Sequence, residues 1–209
     1  MAIFYAVVAR GDVILAHHAS TSGNFITIVT FLLNKIPKED TQVTYSYDSF
    51  LLHVLNKDDL TFICLTNGNT DDTVAFAFLF DMQAKFTSKF NQSVWSDAPS
   101  FSLNAEFSAT LANSMDYYSH NPATEKLSRA KLEMESLRQK VTRNLNMLFD
   151  RHEKIDVLVG RSDSVAEQSS KFKEQSNRVY QDMWWRNAKY YAFAGALVLI
   201  ILYLISKLL

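Results

Sequence analysis

The chain is poor in the residues that cross-link or punctuate a fold. One cysteine in 209 residues excludes an internal disulfide framework and fits a reducing compartment. That residue, Cys64, lies in the run Leu60-Thr61-Phe62-Ile63-Cys64-Leu65, where a buried structural thiol is expected rather than a nucleophile. Proline occurs at Pro37, Pro99 and Pro122 only, so no proline interrupts a helix beyond Pro122. Between Pro122 and the apolar C-terminal stretch the one glycine is Gly160. An excess of either charge is also missing: 21 Lys and Arg stand against 22 Asp and Glu, which leaves no electrostatic footprint for nucleic acid.

Catalytic and metal-binding patterns are lacking too. No phosphate-binding G-x-x-x-x-G-K-[ST] loop and no G-x-S-x-G elbow occurs. His17 and His18 adjoin on a strand-like run and so point to opposite faces, while His53, His120 and His152 fall at no metal-ligand spacing. The expectation is a protein that is not an enzyme and holds no cofactor or metal. Asn91-Gln92-Ser93 matches a glycosylation sequon, but a cytosolic domain does not meet that machinery.

What is present falls into distinct stretches, expected at 1–120, 121–182, 183–189 and 190–209. The first is aromatic-rich. Two apolar runs, Ile3 to Ala9 and Val13 to His17, flank Gly11-Asp12 as in a hairpin. The opening run lacks a basic region and breaks at Arg10-Gly11-Asp12, so it reads as a strand and not as a signal peptide. Phe25, Ile28, Val29, Leu32 and Leu33 recur at helical spacing before Pro37. Val43, Tyr45 and Tyr47 then alternate with polar residues, and strands at Phe50–Leu55 and Leu60–Thr66 follow across turns at Asp48-Ser49 and Lys57-Asp58-Asp59. Asp71-Asp72 opens a helix bearing Val74, Phe78, Leu79, Met82 and Phe86; Leu103, Phe107, Leu111 and Met115 mark another after Pro99. The order ββαβββαα predicts an α+β domain, a five-stranded antiparallel sheet with helices on its faces. The helix before Pro37 carries more apolar residues than one stripe needs, so Phe25, Ile28, Leu32, Val43 and Tyr45 are candidates for a peptide-accepting groove.

From Asn121-Pro122, read as N-cap and first helical position, steps of three and four residues trace a coiled-coil seam. It runs through Leu127, Ala130, Met134, Leu137, Val141, Asn144, Leu148, Arg151, Ile155, Leu158, Ser162, Val165, Ser169, Phe172, Ser176 and Val179. Ordering so long a helix costs more than its apolar seam residues return alone, so partner helices are required. Arg151 sits in phase at the middle of the seam. Its five donors need carbonyl or carboxylate acceptors from facing helices, and a polar layer there fixes register and partner number.

The last stretch is a membrane segment. Tyr190 to Ile205 carries no charge, and sixteen to twenty helical residues span roughly 24 to 30 Å, near the thickness of a hydrocarbon core. Trp184 and Trp185 precede it as an interfacial pair, and Arg186 and Lys189 put positive charge on its N-terminal side, so a C-terminally anchored, cytosol-facing protein is expected. Only ten residues separate Val179 from that span. Zippering of the seam toward it would pull on the bilayer.

These residues resemble the longin-type R-SNAREs of the synaptobrevin family, the group that includes vesicle-associated membrane protein 7 and its plant counterparts. The likeness lies in Met1-Ala2-Ile3, Ala6 to Gly11, Ile14-Leu15-Ala16, Gly23-Asn24-Phe25, Lys35-Ile36-Pro37 and Thr44-Tyr45-Ser46, then in Arg151, Ile155, Leu158, Phe172 and Trp184-Trp185. It covers essentially the whole chain and implies a longin domain of profilin-like fold, a long helical SNARE motif and a tail anchor. It also implies that Arg151 forms an ionic layer with three glutamines of syntaxin-like and SNAP-25-like Q-SNAREs in a parallel four-helix bundle. The longin domain is implied to fold back on the SNARE motif and to bind sorting adaptors, and the disassembly machinery to be a partner. The implied setting is vesicles of the endosomal, lysosomal, vacuolar or secretory pathway. A tryptophan pair before the anchor is more typical of short, brevin-type R-SNAREs. The alternative expectation is a non-fusogenic longin tether, or an inhibitory SNARE.

Overall fold

Gly11 lets the chain double back after eight strand residues. It stands at φ 56 between Arg10 and Asp12, the left-handed conformation a tight hairpin turn needs. It joins β1 (Ile3–Arg10) to β2 (Val13–Ala19), with Arg10 opposite Val13. The computed structural model describes residues 2–47, 49–121 and 140–145. A meander of β3 (Thr41–Tyr47), β4 (Phe50–Lys57) and β5 (Leu60–Asn67) follows. At its second turn Asp58 and Asp59 stand at φ 54 and 64, which a primed hairpin turn demands of both central residues. The carboxylate of Asp40 accepts from the Asp58 amide at 3.2 Å.

Four helices complete the described part: α1 (Phe25–Leu33), α2 (Asp72–Lys89), α3 (Gln92–Trp95) and α4 (Asn104–His120). Asp71 caps α2 by accepting from the Thr73 amide at 2.8 Å. Asn121 closes α4, its main-chain amide and its side-chain Nδ2 both donating to Tyr117 O at 2.9 and 3.1 Å; the helix it is expected to open lies outside the described residues. The short α3 was not anticipated from the sequence, because four residues are too few for a helical period to register.

Side-chain alternation along the strands divides the apolar residues between two cores. On one face α1 lays Phe25, Ile28 and Leu32 over Tyr5, Val7 and Ile63. On the other, α2 and α4 bring Phe86, Phe107 and Leu111 against Ala6, Val8 and Phe62, with the Phe86 and Phe107 rings edge to face at 5.1 Å. Each fully buried side chain of this size contributes about 1.5 to 3 kcal/mol. Cys64 is wholly buried in the second core. His53 is buried as well, and its ring nitrogens pair with Thr44 Oγ1 at 3.1 Å and Thr66 Oγ1 at 3.0 Å. It is a core histidine.

The strand order is β2-β1-β5-β4-β3-β6. The expected five-stranded antiparallel sheet is therefore corrected to six strands, of which β6 (Lys140–Asn144) runs parallel to β3. Those five residues fall inside the expected continuous helix and are extended here. The physical reason is the edge: β3 would otherwise present a row of unpaired amide and carbonyl groups, and a passing segment satisfies them as a strand.

A candidate docking edge on the sheet

The first five strands leave two edges, and the chain treats them differently. At β2, the loop before α4 closes the edge. The amides of Phe101 and Leu103 donate to Ile14 O at 2.7 Å and Leu15 O at 3.2 Å, and Asn104 Oδ1 accepts from the His17 amide at 2.8 Å. Phe101 is held at φ 60 to do so, a conformation that costs a bulky residue of order 1 to 3 kcal/mol. The β3 edge has no such loop and receives β6, in a register that sets Gln42 to Ser46 against Lys140 to Asn144.

Immediately after β6, Leu145 enters the core beneath α1 with 1% of its surface exposed. Phe25, Ile28, Leu32, Val43 and Tyr45 are buried in that same core. They are brought together with Leu145, while Arg143 and Asn144 remain exposed. Burial pushes the Tyr45 phenol above its ordinary range, and the nearby Arg143 charge pulls it partly back. Ser46 Oγ reaches Arg143 O at 3.5 Å, the long limit for such a bond. The arrangement is strand addition, in which main-chain bonds hold the segment and one apolar side chain anchors it.

Leu145 and Arg143 were missed by the sequence reading. Leu145 is off the heptad seam, so helical periodicity gives it no weight; the signal available was the β-branched pair Val141-Thr142. Of the expected seam, Val141 and Asn144 lie in β6. Leu127, Met134, Leu137, Leu148, Arg151, Ile155, Leu158, Val165, Phe172 and Val179 lie outside the described residues, as do Trp184, Trp185, Arg186 and Lys189. Among the described residues no group of side chains has the makings of a metal site, and no helix is long and apolar enough to cross a membrane.

Known proteins share this chain's sequence over both its N-terminal and its C-terminal part. Residues 15–111 match the Longin family model, a regulated-SNARE-like domain, and residues 126–206 match the Synaptobrevin family model. The chain is 37% identical over 206 residues to vesicle-associated membrane protein 7B of Dictyostelium discoideum, covering 98% of this chain and 79% of the relative. It is 33% identical over 207 residues to vesicle-associated membrane protein 714 of Arabidopsis thaliana, covering 98% and 93%. Against vesicle-associated membrane protein 7 of Mus musculus it is 30% identical over 209 residues, covering 100% and 94%. The chain belongs to the longin-type R-SNAREs of the vesicle-associated membrane protein 7 family. As a longin R-SNARE it serves vesicle-mediated membrane trafficking in assembly with other SNAREs, and its family is one of non-enzymatic proteins. The apolar run from Tyr190 to Ile205 lies outside the described residues and within the Synaptobrevin match.

Proposed function

We propose that this R-SNARE uses residues 140–144 in two exclusive ways, as an edge strand that holds the SNARE motif closed and as roughly one and a half turns of helix in the fusion bundle. The observation that carries the reading is the pairing of β6 with β3, because Val141 and Asn144 are also seam positions. A strand advances about 3.3 Å per residue and an α-helix about 1.5 Å, so the segment cannot serve both at once. Bundle assembly has to strip β6 from β3 first.

In the open form the seam joins syntaxin-like and SNAP-25-like Q-SNAREs in a parallel four-helix bundle, with Arg151 in the ionic layer. The flanking layers are those from Leu127 to Val179, and Tyr190 to Leu209 anchors the chain in a vesicle of the endosomal, lysosomal, vacuolar or secretory pathway. The resemblance and the unbroken heptad phase support these assignments. The test is lipid mixing between liposomes carrying the full chain and liposomes carrying a Q-SNARE set, repeated with residues 1 to 120 removed. Truncation is expected to accelerate mixing. An unchanged rate overturns the latch, and no mixing with any Q-SNARE set overturns the fusogenic role in favour of a tether.

A further inference from the structure

A cavity of about 340 Å³ opens at the turn end of the sheet, where the β1–β2 and β4–β5 turns meet α3 and the loop after α1. Its size lies within the ~300 to 1,000 Å³ typical of ligand clefts. Leu33, Ile36, Leu60 and Trp95 supply an apolar floor, all of them buried. Polar groups converge on the same space. Asn56 is 3% exposed, and its Nδ2 donates to Pro37 O at 2.5 Å. That bond fixes which end of the amide is which, since the carbonyl of Pro37 can only accept. The other end, Asn56 Oδ1, is buried without a hydrogen-bond partner. A buried acceptor left unpaired carries an uncompensated desolvation penalty, which a donor brought into the cavity would offset.

Arg10 stands beside it. Its Nη1 donates to the carbonyls of Trp95 and Ser96, at the C-terminal end of α3. Those bonds employ one nitrogen of the guanidinium, and Nη2 and Nε have no acceptor among the described residues. The exposed Lys38 and Gln92 add donors at the mouth. Asp59 is also on the wall, and among the described residues it forms no ion pair with Arg10 or Lys38. The cavity thus offers one buried acceptor, one guanidinium edge suited to a carboxylate, and an apolar floor between them. Two neighbouring residues of an extended chain carry the complement: a main-chain amide, a large apolar side chain and, alternating to the other side, an acidic one.

We propose that this cavity is a second docking site, separate from the β3 edge, for an extended peptide of a partner protein in which a large apolar residue adjoins Asp or Glu. The amide donates to Asn56 Oδ1, the carboxylate accepts from Arg10 and Lys38, and the apolar side chain covers Leu60 and Trp95. The inference does not depend on the latch, because none of these residues lies in β3 or β6.

The experiment selects a random-octapeptide display library against the full-length chain in lipid nanodiscs, with empty nanodiscs as the subtraction. An enriched peptide is then titrated against the wild type, Asn56→Leu, Lys38→Glu and Leu145→Asp. Enrichment of apolar residues next to Asp or Glu is expected, with affinity about tenfold lower for Asn56→Leu, about fivefold lower for Lys38→Glu, and unchanged for Leu145→Asp. Lys38 is exposed, so that variant reads the site even if Asn56→Leu fails to fold. No enrichment, a consensus without acidic residues, or equal affinity of the wild type and Lys38→Glu overturns the proposal. Tighter binding to Leu145→Asp also overturns it, since that would put the peptide on the vacated β3 edge.

Discussion

His17 shows how a single side chain inside a sheet sets a pH limit. Its ring lies 5.6 Å from that of Tyr5 and edge-on to Phe101 at 5.7 Å. Burial, assisted by the neighbouring charge of His18, lowers its pKa from 6.5 to about 4. Between those values the unfolded chain binds a proton that the folded chain refuses, so the stability this group contributes is complete above pH 6.5 and falls as the pH drops toward 4. The loss is at most about 1.4 kcal/mol per pH unit. We expect the urea midpoint of the full-length chain, followed by its far-ultraviolet signal, to fall between pH 7 and 5. The drop should be smaller in His17→Gln. An equal pH dependence in the variant would remove His17 from the account. The thiol of Cys64 behaves in the opposite sense: burial alone raises its pKa far above the ordinary value, which keeps it protonated and unreactive.

At the scale of the element, β6 is a short strand held by one edge and one side chain. Leu145 is its anchor and lies off the heptad seam, so the two states can be separated by mutation there. Leu145→Asp removes a burial contribution of about 1.5 to 3 kcal/mol and shifts the latch toward release by on the order of 10- to 100-fold. Amide exchange in the full-length chain should show protection falling along β3 and holding along β5. Assembly with Q-SNAREs should quicken, because the substitution leaves every seam position intact. Unchanged protection along β3 would mean that the main-chain ladder alone holds β6. This element also marks where sequence reasoning stops. The hairpin at Gly11, the meander from Thr41 to Asn67 and the helices after Asp71 and Pro99 were legible, because their side-chain period and turn residues agree with their final state. β6 was not, since Val141 and Asn144 satisfy a helical seam and the extended alternative is favoured only by the β3 edge, which is remote in sequence. The buried groove residues carried apolar weight in the sequence; what covers them came from an off-seam leucine.

For the whole molecule the question is what would make the proposed four-helix bundle accept this chain and not another, and the proposed ionic layer assigns that choice to Arg151. A guanidinium among four helices is costly unless carbonyl acceptors from three partner side chains surround it. Its value then lies in register, since sliding the seam by one heptad would bury the charge among apolar layers. Arg151→Gln is expected to slow lipid mixing with wild-type Q-SNAREs, because four glutamines lack the cation that organises their carbonyls. Mixing should recover when one partner glutamine is changed to Arg, which restores the same layer from another helix. The latch is upstream of this step, so combining Arg151→Gln with removal of residues 1 to 120 should leave the defect in place. Truncation would hasten the encounter, and the layer would still fail to lock. If truncation instead rescues the variant, the defect lay in release of the strand, and the ionic layer would not be what sets pairing in this chain.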